Sequence, residues 1–131
     1  MIYLDSSALL KLLHEEAESE TLADWLAAHA GTPIVSSELA KVEVIRASRR
    51  INPATLPEAT ALLAGLDLIP LGGAVIDNAA NAEGTTLRSL DAIHLASALS
   101  IETELSAFVA YDHRLAEAAS TAGLELQAPG A

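Results

Sequence analysis

The chain has 131 residues, about half of them apolar but only 3% aromatic, and no cysteine. That length suits a single domain, residues 1–131, whose core of Ala, Leu, Ile and Val needs no disulfide or structural metal. Lack of cysteine excludes disulfides, thiolate metal sites and cysteine nucleophiles, and a formal net charge of −11 argues against broad non-specific binding to nucleic acid. A nucleic-acid function would therefore need a local basic patch, a metal, or both. No basic N-terminal region leads into a long apolar stretch, and no apolar run approaches the roughly 20 residues that span a bilayer. A soluble, cytoplasmic protein with no membrane association is expected.

In chain order, residues 1–5 read as a strand, and SSALLKLLHEE and SETLADWLAAHAG as helices, the second ending at Gly31. Pro33–Ser36 is a short strand. SELAKVEVIRASRRI is a helix that stops at Asn52, because proline at 53 disfavours helix in the residue before it. LPEATALLAGL is helical, Asp67–Leu71 a strand, Gly72-Gly73 a turn and AVIDNAANAEG a helix. SLDAIHLASALSIETEL is one long helix, AFVAYD a strand, HRLAEAASTAG a helix closing at Gly123, and LEL a last strand. The tail from Ala128 to Ala131 is expected to fray. Alternation of this kind predicts an α/β fold with a central parallel sheet covered by helices on both faces.

Ligands of such sheets bind beyond the carboxyl ends of the strands. The first strand runs straight into Asp5, and the strand Ala107–Tyr111 runs into Asp112. Each acid has a plain reading as the N-cap of the helix that follows. Both also belong on one rim, where they could form a site. Glu43 shares a narrow stripe with Arg46 and Arg50 on an otherwise apolar helix, at about 100° per residue. That stripe is either a solvated ion-pair row or a carboxylate at the rim with arginines beside it for phosphates. Asp91 sits in the first turn of an apolar helix, where the helix dipole favours an acid whatever its role.

Asp5, Glu43, Asp91 and Asp112 offer only oxygen ligands, which suit Mg²⁺ or Mn²⁺ rather than zinc. Gathered together they would repel one another and raise their pKa values, and a divalent cation would relieve that. Such a site can activate a water for in-line attack on a phosphodiester with no nucleophilic side chain.

YLDSSALLKL, SELAKVEVIRA, SLDAIHLASAL and AYDHRLAEAA resemble the successive motifs of PIN-domain ribonucleases. Their order and spacing, and the length of the chain, most resemble the VapC-type toxins of bacterial toxin–antitoxin pairs. The resemblance implies a PIN-like three-layer α/β/α fold with a central parallel sheet of four to five short strands. It implies an endoribonuclease dependent on Mg²⁺ or Mn²⁺, with the acidic residues carried over onto Asp5, Glu43, Asp91 and Asp112. It also implies an RNA substrate, tRNA among the candidates, a VapB-like antitoxin partner and a homodimer. Ser6, Arg46 and Arg50 are candidate substrate contacts. Many relatives carry Thr or Ser two residues before the last acid, where this chain has Ala110; Ser6 and Ser7 are the hydroxyls available to compensate.

Other features are blander. The four histidines form no metal-ligand spacing; His94, one turn after Asp91, could hydrogen-bond to that acid, but reads more simply as a partly buried histidine satisfied by backbone. Leu22, Trp25 and Leu26 form a helical core set. Arg46, Arg49 and Arg50 with Lys41 are the densest basic cluster, suited to an RNA backbone or to a partner's carboxylates. Leu9, Leu10, Leu12 and Leu13 spread apolar surface around the first helix, to be covered by a partner or by the second helix. A receiver domain would need a lysine at a late strand end, and Lys11 and Lys41 are elsewhere. Leu9 breaks the D-x-S-x-S of a metal-dependent adhesion site, and Ser7 denies the D-x-D of an aspartyl phosphatase. The remaining alternative is a PIN-like metal-binding interaction module that has lost catalysis, to which Ala110 and the acidic charge lend weight.

Overall fold

The structure is a computed structural model that describes residues 1–83 and 86–131. Five short parallel strands, β1 (Ile2–Leu4), β2 (Ile34–Ser37), β3 (Asp67–Ile69), β4 (Ala107–Val109) and β5 (Leu126–Gln127), form one sheet in the order β3-β2-β1-β4-β5. Around it lie α1 (Ser6–Leu13), α2 (Ser19–Ala27), α3 (Glu38–Ile51), α4 (Leu56–Ala64), α5 (Gly73–Ala80), α6 (Ser89–Leu99) and α7 (His113–Thr121).

The central strands are short, so strict alternation decides which helix each residue meets. Ile2 and Leu4 of β1, with Ala107 and Val109 of β4, point into a core shared with Leu9, Leu22, Val44 and Leu63 of α1 to α4. Tyr3, Phe108 and Ala110 point the other way, against Leu95 and Ala98 of α6 and Leu115 and Ala119 of α7. Tyr3 stacks on Phe108 across the paired strands, ring centroids 5.1 Å apart. This is the three-layer arrangement expected. Leu9 is fully buried, and Leu10, Leu12 and Leu13 are partly buried against the same core as Trp25 and Leu26 of α2, so much of the apolar surface of α1 is taken up within the chain, while Leu10 also lines the cleft at the carboxyl ends of β1 and β4.

From β1 the chain builds outward through β2 to β3, then returns to the other side of β1 for β4 and β5. The carboxyl ends of β1 and β4 therefore flank the point where the winding reverses, the place where open α/β sheets leave a crevice.

Four expectations are corrected. The segment 89–105 is not one helix: α6 ends at Leu99, Ser100 Oγ donates to Ser97 O at 2.6 Å, and Ile101 leaves helical geometry at φ −123° before a 3₁₀ turn at Glu102–Glu104. The last strand lies at Leu126–Gln127 rather than 124–126, because a Schellman turn uses Gly123 and Leu124. There Gly123 stands at φ 91° and the N–H of Leu124 donates to Ala119 O at 3.0 Å. The tail is docked, not frayed: Tyr111 Oη donates to Pro129 O at 2.8 Å, and Gly130 lies against Thr21 and Glu18. The predicted helix 74–84 is α5, which starts one residue earlier and stops at Ala80; its predicted end, Gly84, lies outside the described residues.

Candidate active site

Asp5, Glu43, Asp91 and Asp112 all line one cleft of about 630 Å³ at the carboxyl ends of β1 and β4. Asp5 and Asp112 arrive just beyond these strands and cap α1 and α7. Asp5 Oδ1 accepts from the N–H of Ala8 at 3.0 Å and from Ser7 Oγ at 2.7 Å. Asp112 Oδ1 accepts from the N–H groups of Arg114 and Leu115, each at 3.0 Å. The capping reading and the site reading thus hold together in geometry: each acid serves a helix end and faces the cleft. Asp91 projects from the first turn of α6, and Glu43 from the middle of α3.

Asp5 is only 4% exposed. Burial raises its pKa against the hydrogen bonds from Ser7 and Ala8, and the negative charge of Asp91 adds to the rise. The Asp91 carboxyl is also raised, by partial burial first and then by repulsion from Asp112. Glu43 goes the other way. Burial alone would raise it, but hydrogen bonds from His94 and Ser6 outweigh that and hold it below the usual range.

The acids share the cleft without forming a tight cage. Among the described residues, no three Asp, Glu or His side chains are grouped closely enough to hold one ion. The cause is local. Asp5 and Asp112 are turned to helix N–H donors, while Glu43 is drawn to His94 Nε2 at 2.8 Å and to Ser6 Oγ at 2.5 Å. The donor set nevertheless fits a hard divalent cation: it is all oxygen, and the mutual repulsion that raises Asp91 is what a cation removes. A hollow of about 700 Å³ between α6 and α7 is larger but holds none of the four acids.

Arg46 and Arg50 line the same cleft, one and two turns beyond Glu43 on α3. The structure adds Arg88, just ahead of α6, which sequence reasoning missed because nothing in its neighbourhood marks it. All three are exposed, and among the described residues none makes a salt bridge. Of the other basic residues, Lys11 is bound to Glu16 and Glu18. A chain with net charge −11 therefore gathers three of its seven Lys and Arg residues around its acids. The exposed Leu90 and Val42 give the cleft an apolar lip.

Two hydroxyls have definite duties. Ser7 supports Asp5, and Ser6, expected at the substrate, donates its proton to Glu43. Ala110 is fully buried in the core face beside Phe108 and Leu115. His94 departs from expectation: its partners are side chains, Tyr3, Glu43 and Ser6, not backbone. Only its spacing from Asp91 could have hinted at a place near the site.

A PIN domain family model matches residues 2–120. The chain is 46% identical to Ribonuclease VapC47 of Mycobacterium tuberculosis, over 100% of this chain and 98% of that protein. It is 44% identical to Ribonuclease VapC35 of the same species, over 99% and 98%. Among solved structures, the fold is similar to Mycobacterium tuberculosis VapC20, a sarcin-ricin loop cleaving toxin, with TM-score 0.76, 17% identity and 98% and 100% of the two chains covered. It is equally similar, at TM-score 0.76 and 12% identity over 98% and 99%, to a chain of VapBC2 from Rickettsia felis bound to a fragment of its promoter DNA. The matched family model and full-length identity above 40% with two ribonucleases of one type give the cleft its lineage: this chain belongs to the PIN-domain family, among the VapC ribonucleases.

Proposed function

We propose that the protein is the endoribonuclease toxin of a type II toxin–antitoxin pair, cleaving RNA phosphodiester bonds in the cytoplasm with Mg²⁺ or Mn²⁺ held by Asp5, Asp91, Asp112 and Glu43. The observation that carries this reading is the placement of four carboxylates from four elements in one cleft, with three arginines on its walls that form no salt bridge among the described residues. When bound, the cation would lower the pKa of a water and offset the charge of the attacked phosphate. Asp5 and Asp112, fixed at helix N-termini, present carboxylates whose direction is set by their caps. Glu43, held ionised by His94 and Ser6, keeps a full negative charge in the cleft. Arg46, Arg50 and Arg88 hold backbone phosphates on either side of the bond to be cut, and the apolar lip of Val42 and Leu90 receives bases. Concentrating the cations here offsets an overall charge that repels RNA elsewhere.

A VapB-like antitoxin would silence the cleft by covering its arginines and acids, a pairing to which the likeness to the Rickettsia VapBC2 structure lends support, and a homodimer is the assembly proposed. The test is cleavage of total cellular RNA, tRNA included, by antitoxin-free protein supplied with Mg²⁺ or Mn²⁺. Asp91→Asn is the cleanest control, since the Asp91 side chain accepts no hydrogen bond from another described residue. Discrete fragments from the wild type alone, abolished by EDTA, are expected. Cleavage that survives both EDTA and Asp91→Asn would refute the proposal. A folded wild type that binds RNA but leaves every species intact would favour the interaction module.

A further inference from the structure

The buried side of the cleft carries a chain of polar contacts that the four acids alone do not require. Tyr3 Oη stands 2.7 Å from His94 Nδ1. Nε2 of the same ring stands 2.8 Å from Glu43 Oε1 and 3.2 Å from Ser6 Oγ. Ser6 Oγ donates to that same Oε1 at 2.5 Å. Tyr3 is 0% and His94 2% exposed, while a quarter of the Glu43 side chain faces solvent. The chain thus runs from the sheet interior, through α6, to a carboxylate at the edge of the cleft.

Bonding capacity sets its direction at the carboxylate end. An ionised carboxylate has no proton to give, so Nε2–H donates to Glu43. At the other end the Tyr3 hydroxyl, which can both donate and accept, is paired with Nδ1 and fixes the plane of the ring. Tyr3 in turn is packed on both sides: it lies in the central strand, stacked on Phe108 and edge-on to His94 at 82°. Both donors to Glu43 land on one oxygen. No hydrogen bond reaches Oε2 among the described residues, so Oε2 is the oxygen left for the cleft.

We propose that His94, oriented by Tyr3, is a positioning residue for Glu43: it pins Oε1 and thereby sets Oε2 toward a divalent cation. This rests on the metal-dependent reading of the cleft given above. The logic is that of ligands held by outer hydrogen bonds, whose loss typically weakens metal affinity about 10–100-fold. A glutamate at the edge of an open cleft would otherwise sample several rotamers.

Mn²⁺ binding, read by electron paramagnetic resonance of the free ion, tests this without relying on RNA cleavage. His94→Leu is expected to weaken binding about tenfold or more. His94→Gln, which can return an N–H to Oε1, restores much of the loss. Tyr3→Phe keeps the stacked ring, removes only the hydroxyl, and gives a smaller loss; it also guards against a His94→Leu chain that fails to fold. In a Glu43→Gln background, His94→Leu adds no further weakening, because its only route to the cation has gone. Wild-type affinity in both His94→Leu and Tyr3→Phe, with Glu43→Gln impaired, overturns the positioning role and leaves the metal site standing. An equal loss from His94→Leu with and without Glu43 also overturns it. A wild type that binds no Mn²⁺ removes the metal reading and this inference with it.

Discussion

Asp5 gives the sharpest separation between a residue that holds a fold together and one that serves a reaction. Its Oδ1 accepts from Ala8 N–H and Ser7 Oγ, and its buried carboxyl has a pKa raised by that burial and by Asp91. Asparagine at this place keeps an acceptor of the same shape and caps a helix about as well as aspartate, whereas alanine forfeits a cap worth about 1–2 kcal/mol. Asparagine also removes the buried charge. Asp5→Asn should therefore melt at or above the wild-type temperature at pH 7 without added metal. Asp5→Ala should melt about 4–8 °C lower, as such a loss implies for a domain of this size. Cleavage should behave differently. If the carboxylate helps hold the cation, either change removes several kcal/mol of transition-state stabilisation, and about 4 kcal/mol corresponds to about 10³-fold in rate. Thermal melts followed by circular dichroism, beside cleavage of a fluorescent RNA, give both readings on the same samples. An Asp5→Asn protein that melts as early as Asp5→Ala and still cuts at the wild-type rate would reduce Asp5 to a helix cap and refute the reasoning.

Three further outcomes are expected. The raised pKa values of Asp5 and Asp91 mean that the folded chain binds those protons more tightly than the unfolded chain. The stability they contribute is full below the ordinary aspartate pKa of about 3.9 and is lost as pH rises through the raised folded values. Melting curves of metal-free protein from pH 4 upward should show an Asp5→Asn/Asp91→Asn double variant gaining on the wild type, and Mn²⁺ should stabilise the wild type more at pH 7.5 than at pH 4; a constant gap across that range would contradict the assignment. In RNA binding measured with the Asp91→Asn protein, replacing Arg46, Arg50 or Arg88 by Ala should weaken affinity and flatten the salt dependence by about 0.7 in log–log slope for each phosphate no longer neutralised; an unchanged slope for all three would remove the arginines from the RNA path. Phe108→Ala should cost about 3–5 kcal/mol in chemical denaturation, since Phe108 is fully buried and stacked on Tyr3; a cost below about 1 kcal/mol would mean the second core face is loosely packed.

Much of this architecture is local and so could be read along the chain. Asp5, Ser37 and Asp112 are small polar residues that accept the first N–H groups of α1, α3 and α7, and each stands where an apolar strand gives way to a helical pattern. Pro53 ends α3 for a reason confined to its own ring. Asp5, Asp91 and Asp112 could be singled out because strand ends and first helical turns are positions a sequence reveals, and Glu43 because it shares a charged stripe with Arg46 and Arg50 on an otherwise apolar helix. The break of α6 at Ser100 was hidden, because a serine that bonds back to Ser97 looks in sequence like any other polar helical residue. The docked tail was hidden as well: Tyr111 and Pro129 meet only once β4 and β5 are paired.

The sequence by itself determined the order of strands and helices, the α/β class and the acids that would reach the rim, since these depend on periodicity and capping within a few residues. Only the tertiary structure decided what those acids touch. Residues 91 positions apart, Tyr3 and His94, form a hydrogen bond because β1 lies at the centre of the sheet and α6 packs over it. Arg88 joins Arg46 and Arg50 because α3 and α6 border the same crevice. Hydrogen bonds and charge repulsion act through space, and the distances that set them exist only after the sheet has brought its distant segments together.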